Sequence, residues 1–286
     1  VRQVPVVATI REAWLFTFSH LGNIIGLIWI PMVMITVAQF FTFLRYYNAM
    51  IDYLAGGGTS QLGPSTLMLI GYVAAAMLLY AIMFVAIVQL VLGSRTGGVI
   101  AHFAFGPLEW RMARAFFAFT GLLLLIGLGV MMLANLAMVA GGPKSSQAAA
   151  SGFLVMGLLG ACIALVPRFL LLLPAVSVNE TGSVLRRTWA LSTGNFLRLL
   201  GIVLGLFLPL AILLGVADLA IGGPGAVVAG DDRMRMLQAL TEARSSLPVA
   251  CGLSFLVSPL VVGLFSSASV SAWRALKDEP TVELIA

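Results

Sequence analysis

Between Arg168 and Arg198 the chain sets guanidinium, carboxylate and amide groups at ordered intervals inside otherwise apolar sequence: Arg168, Glu180, Arg186, Arg187 and Asn195. Arginine suits phosphate because it stays charged and donates paired hydrogen bonds from a planar fork. Arg168, Glu180, Arg186 and Arg187 are therefore a candidate ion network for an anionic headgroup or a partner, with Asn195 in the turn that follows. The competing assignment is architectural. Glu180 precedes a helix expected from about Gly182, where a carboxylate favours the positive end of the helix dipole and can pair with Arg186 or Arg187. Arg168 sits about ten residues before the end of an apolar run, and Arg95 takes the corresponding place after an earlier one. An arginine at the bilayer centre costs about 2.5 kcal/mol or more, an interfacial one little. That difference favours spans ending near each Arg, with the tails LLLLPAV and GGVIAHF lying along the interface.

Other chemistry is missing from the residue pattern. His20 and His102 are the only histidines, and neither stands with carboxylates at metal-ligand spacing. There is no phosphate-cradling Gly-Lys-Ser/Thr loop, dinucleotide fingerprint, nucleophile elbow or metal-binding helix motif. No catalytic residue, metal or cofactor is expected. Cys162 and Cys251 lie singly in apolar runs and read as packing residues. Asp218, near the end of another run, is expected to reach water. Asn23, Gln39, Gln89 and Asn135 read as helix-knitting amides. Asn179-Glu-Thr181 fits a glycosylation sequon by letter but falls in an expected cytoplasmic segment.

These groups are carried by a chain of 286 residues that is 60% hydrophobic and 9% charged, with a mean hydropathy of +1.06 and a net charge of +5. Such usage belongs to integral membrane proteins. Apolar runs near 22–44, 66–92, 116–140, 152–178, 196–221 and 247–272 each suffice for about 30 Å of hydrocarbon. They predict six helical spans, because the bilayer satisfies no backbone polar group and the runs lack barrel alternation. Of the 16 basic residues, 11 fall on the side of both termini: Arg2, Arg11, Arg95, Arg111, Arg114, Arg168, Arg186, Arg187, Arg198, Arg274 and Lys277. The positive-inside rule then predicts cytoplasmic termini. The remaining connections start with AGGGTSQLGP, GGPKSSQAAASG and IGGPGAVVAGDD and read as external loops, the last continuing into a short surface helix at DDRMRMLQALTEARSS. No cleavable signal peptide is evident in the first 20 residues.

A shift of 73 residues lays Arg95 on Arg168, Arg114 on Arg187 and Phe116 on Trp189, and a shift of 175 lays Arg11 on Arg186 and Trp14 on Trp189. Arg and Trp are scarce here, so these matches outweigh those of Leu and Gly. They predict an all-α polytopic membrane protein, a single domain over 1–286. Six transmembrane helices form three hairpins, over about 7–95, 107–178 and 180–274, each preceded by an amphipathic cytoplasmic elbow helix. In each elbow an Arg precedes an aromatic ring, giving Trp14, Phe116 and Trp189 as interfacial anchors. Three Gly pairs at i,i+4 (22 and 26, 93 and 97, 201 and 205) are no more than chance supplies, and no interface is assigned to them.

The order Pro174, Glu180, Arg187, Trp189, Leu191, Ser192, Gly194, Asn195 resembles the uncharacterised bacterial six-span proteins classed with the glycerophosphoryl diester phosphodiesterase membrane domain. Thr188 stands where that pattern usually has Ser. The signature covers about 30 residues, and the six-span layout fits the whole chain. In the phosphodiesterases carrying this domain, hydrolysis belongs to a separate soluble barrel absent from this sequence. The resemblance therefore implies a membrane module of the bacterial inner membrane without the hydrolase activity.

The leading functional expectation is a non-catalytic membrane protein whose basic elbows associate with anionic phospholipids or a protein partner, not with nucleic acid. Each basic residue near an anionic surface contributes about 1 kcal/mol. The alternative is a permease or transporter component for a small solute, suggested by the repeats, though midplane charge is scarce. A lipid-acting enzyme using Glu180 or Asp218 with Arg is the third reading.

Overall fold

With no water to pair its amides, an apolar chain satisfies its backbone within helices. Among the described residues of the computed structural model (3–56, 58–94, 105–141, 146–178, 184–221 and 233–277) every regular element is helical. The helices are α1 Val6–Ser19, α2 Leu21–Ala55, α3 Leu62–Val91, α4 Pro107–Gly141, α5 Ser146–Ser177, α6 Val184–Ser192, α7 Phe196–Ile221 and α8 Arg233–Lys277. Five of them (α2, α3, α4, α5 and α8) contain stretches long and apolar enough to cross a membrane. In α7 the described apolar stretch is the shorter Phe196–Ile212.

Local chemistry sets the breaks. At His20 the backbone leaves the helical region, and the ring stacks on Phe16 with centroids 4.4 Å apart. His20 Nδ1 lies 2.9 Å from Ser19 Oγ, so this histidine braces the α1–α2 bend. Gly56, at φ +98°, closes α2 in the left-handed conformation that glycine adopts without steric cost. The helices run unbroken through Pro31, Pro167, Pro174, Pro209, Pro248 and Pro259.

Two expected elements merge with their neighbours. The second elbow is not a separate helix: α4 continues from Pro107 into its span, since its sequence offers no breaker between Pro107 and Gly121. Likewise the short surface helix expected before the last span is the first part of α8. There Leu247 and Cys251 are buried, and Arg233 Nε donates to the Leu54 carbonyl at the end of α2. Those contacts tie the expected surface helix to the bundle, and it continues into the last span without a break. The most extensive pairings are α4 with α5, α2 with α8 and α2 with α3. Among the described residues the contact of α7 with α8 is narrower than these.

Buried side chains concentrate at the end of the molecule where α1, α6 and the C-terminal halves of α3, α5 and α8 meet, here called the elbow end. Opposite is the loop end. Leu170, Leu171, Leu172 and Leu173 of α5 are all within 1% of complete burial, so this turn is enclosed on every side. Leu172, Leu173 and Val176 join Ile24, Ile28, Met83, Ile87 and Met112 in one cluster. Leu170 and Leu171 join Val4, Leu199, Ile202, Ala268 and Trp273 in a second. Ser269 Oγ donates to the Leu170 carbonyl, fixing α8 against α5 between them. The tail after Arg168 therefore lies inside the protein and not along the interface. Lipid tails are as apolar as leucine, so close packing and such hydrogen bonds hold these helices together. By contrast Leu124, Leu125, Leu128, Met132 and Leu133 of α4 are exposed on the outside of the bundle. Cys251 packs inside as expected, whereas Cys162 is on an exposed face of α5.

The Gly201 and Gly205 pair does carry an interface, contrary to expectation. A methyl at Gly201 would stand 3.6 Å from Val6 Cγ1, and one at Gly205 would stand 2.5 Å from Ile10 Cδ1. The glycine stripe of α7 thus seats α1. Gly22 and Gly26 have nothing within 4 Å of such a methyl.

Candidate functional site

Arg168 projects from α5 beneath the third elbow. Its Cζ lies 3.7 Å from the centroid of Trp189 on α6 and 5.2 Å from that of Phe196 on α7. Arg168 Nη1 donates to the Ala164 carbonyl at 2.7 Å, and Nε is buried without a hydrogen-bond partner. A guanidinium between two rings interacts favourably with their negative faces, the more so when partly desolvated. One side chain therefore joins α5, α6 and α7. Its ring contacts fasten the elbow.

Asn195 is also structural. It is 1% exposed, and its Oδ1 accepts the Val4 N–H at 3.3 Å. The Asn195 carbonyl accepts from the Arg198 and Leu199 amides, starting α7, while Gly194 at φ +90° turns the chain out of α6. Arg198 completes the clamp: Nη1 donates to the Val4 carbonyl at 3.3 Å and Nη2 to Gln3 Oε1 at 2.5 Å. The turn after the third elbow thereby fixes the residues ahead of α1. Nothing in the sequence signals that pairing, because its partners are almost 200 positions apart and Gln3 and Val4 are ordinary residues.

Only some of the other predicted residues fall among those described. Arg186 is exposed on α6. Arg187 is also on α6, its side chain outside the described residues, and Glu180 and Arg95 lie wholly outside them, as do His102 and the sequon at Asn179. Asp218 and Asn135 fall in helices with their side chains outside the described set. Trp14 is half-buried and stacks on Phe18, and Trp189 is 50% exposed, both in keeping with ring-bearing anchors. Phe116 is not an anchor. It is 6% exposed and packs against Phe84 and Phe169, because the unbroken α4 turns that face into the core. Exposed Trp110, with Arg114 Cζ 6.0 Å from its ring, occupies the corresponding place on the second elbow.

Two further cations were not singled out from sequence. Arg274 is 8% exposed and donates to the Val91 carbonyl at 3.4 Å, capping the end of α3. Lys277 Nζ lies 4.4 Å from the Trp273 ring. The elbow end thus contains engaged cations, Arg168, Arg198 and Arg274, and exposed ones, Arg11, Arg114, Arg186 and Lys277. Among the described residues no cluster of three or more His, Cys, Asp or Glu is placed to hold a metal. No family model, curated protein or solved structure matches this chain.

Proposed function

We propose that the protein is a non-catalytic multi-pass membrane protein whose elbow end binds anionic phospholipid headgroups. In this reading it is a six-span, three-hairpin module of the bacterial inner membrane with cytoplasmic elbows, similar to the phosphodiesterase membrane-domain proteins in the Arg168–Arg198 motif. The supporting observation is that Arg11, Arg114, Arg186 and Lys277 stay exposed at one end, the first three on helices that also present the rings of Trp14, Trp110 and Trp189 there. Four such cations near an anionic surface contribute about 1 kcal/mol each. The proposed headgroup site centres on these exposed residues and keeps Arg186 from the set expected in the sequence. Native mass spectrometry of the purified protein should find anionic lipid enriched over the bilayer composition. The double variant Arg11→Gln, Arg186→Gln should lose severalfold of that enrichment, and an unchanged lipid profile would reject the proposal.

A second reading, a permease component, draws on one cleft. About 520 Å³ opens between α3, α7 and α8, lined by Tyr80, Gly215, Leu253, Ser254 and Ser258 among others. Solute flux into proteoliposomes that stops on Ser254→Leu would favour it over the first reading.

A further inference from the structure

At the loop end of α2 and α3, two helix faces confront each other across an open groove of about 520 Å³. Helix α2 supplies Phe41, Arg45, Asn48 and Asp52, and α3 supplies Ser65 and Met68, with Gln61 at its N-cap. Spacings of three, four and seven put each set on one helical face. Among the described residues no hydrogen bond or ion pair engages the side chains of Arg45, Asn48, Asp52 or Gln61. Ser65 is 1% exposed, its hydroxyl has no partner, and it lines the groove. A buried hydroxyl is ordinarily satisfied, so one opening onto a polar groove points to a ligand atom.

The order of residues with depth identifies the ligand. Phe41 and Met68 lie deepest and are apolar and exposed, Arg45 and Ser65 come next, then Asn48, and Asp52 and Gln61 stand nearest the turn. Arg45 and Asp52 are two helical turns apart, about 10 Å along the axis. This is the sequence of parts in a zwitterionic phospholipid: chain, phosphate, ammonium. Arginine and a hydroxyl suit the phosphate, and a carboxylate flanked by amides suits a primary ammonium with three protons to donate.

We infer that this groove binds the phosphoethanolamine headgroup of a lipid in the loop-end leaflet. The exposed Phe41 and Met68 extend the site toward hydrocarbon, which favours a lipid over a soluble ester of the same chemistry. The site is separate from the elbow surface, so it stands or falls independently of the function proposed above.

The test uses the full chain carrying Arg11→Gln and Arg186→Gln, to silence the elbow surface, in bilayers of equal phosphatidylethanolamine and phosphatidylglycerol. Native mass spectrometry should show phosphatidylethanolamine retained severalfold over phosphatidylglycerol. Asp52→Asn should abolish that preference, and Arg45→Gln should reduce retention of both lipids. Ser65→Ala should lower phosphatidylethanolamine retention without altering surface charge, so a charge variant that fails to fold does not decide the matter. Retention at the bilayer ratio in the parent, or a preference that survives Asp52→Asn in folded protein, would overturn the inference. Soluble phosphoethanolamine at millimolar concentration should leave the bound lipid in place. Displacement by it would overturn the lipid as the ligand in favour of the free zwitterion.

Discussion

Replacing Arg168 should separate a fastening role from a headgroup-binding one. The guanidinium is 3.7 Å from the Trp189 centroid and 5.2 Å from that of Phe196. A cation over a ring is worth about 0.5–1 kcal/mol when exposed and about 2 when desolvated. Arg168 is half-buried and Trp189 is 50% exposed, which places the pair between these limits, at about 1–2 kcal/mol. Arg168→Gln should therefore raise the opening constant of α6 by a factor of roughly 5 to 30. Amide hydrogen exchange over Val184–Ser192 in nanodiscs reads this directly. Trp189→Leu should have a similar effect, and the double variant should do little more than either alone, because both remove the same contact. Anionic lipid retained at the elbow should not change. Additive effects on exchange would refute the ring contact, and loss of anionic lipid without faster exchange would return Arg168 to headgroup binding.

Gly263→Ala should destabilise the fold by about 1–3 kcal/mol, since such overpacking forces backbone or rotamer shifts. The added methyl would stand 2.8 Å from Thr17 Cγ2 and 3.0 Å from Ile24 Cδ1. Thr17→Ala should rescue it, because it removes both the clashing methyl and a buried hydroxyl that has no partner, and detergent unfolding of the single and double variants measures the coupling. Asn195→Ala leaves the buried Val4 N–H without its acceptor, at a cost of about 1–3 kcal/mol, and limited proteolysis should then cut ahead of α1 while the spans stay intact. Gly194→Ala, forced to φ +90°, should cost about 1–2 kcal/mol, visible as a lower melting temperature with the α6–α7 turn more open to exchange.

The sequence conveyed the membrane class and most helix positions because both follow from the length of apolar runs, a local property. It also singled out Arg168 and Asn195, since a charge and an amide amid hydrocarbon need partners. What those partners are was not legible. Asn195 meets Val4 and Arg274 meets Val91 through the backbone, and a backbone group carries no residue-type signal. The glycines at 201 and 205 match chance in number, yet their meaning comes from Val6 and Ile10 lying across them. Phe116 looked like Trp189 under a shift of the chain, but an unbroken α4 rotates it inward while a separate α6 leaves Trp189 outside. The repeat thus indicated where elbows belong without indicating which are free of their spans.

Helix α8 has consequences for the order in which the protein can be built. It runs unbroken over 45 residues, fastened by Arg233 to the end of α2 and by Arg274 to the end of α3. It also supplies the serine that holds α5 and packs on α1. Every one of those partners is synthesised before it. About 140 residues separate the end of α3 from the start of α8, roughly 7 to 30 s of elongation at about 5–20 residues per second. Throughout that interval the faces of α1, α2 and α3 that α8 will cover lack the partner they have in the finished fold. A chain that stops before residue 233 keeps the α2–α3 and α4–α5 pairings but lacks the helix that fastens α1, α2, α3 and α5 to one another.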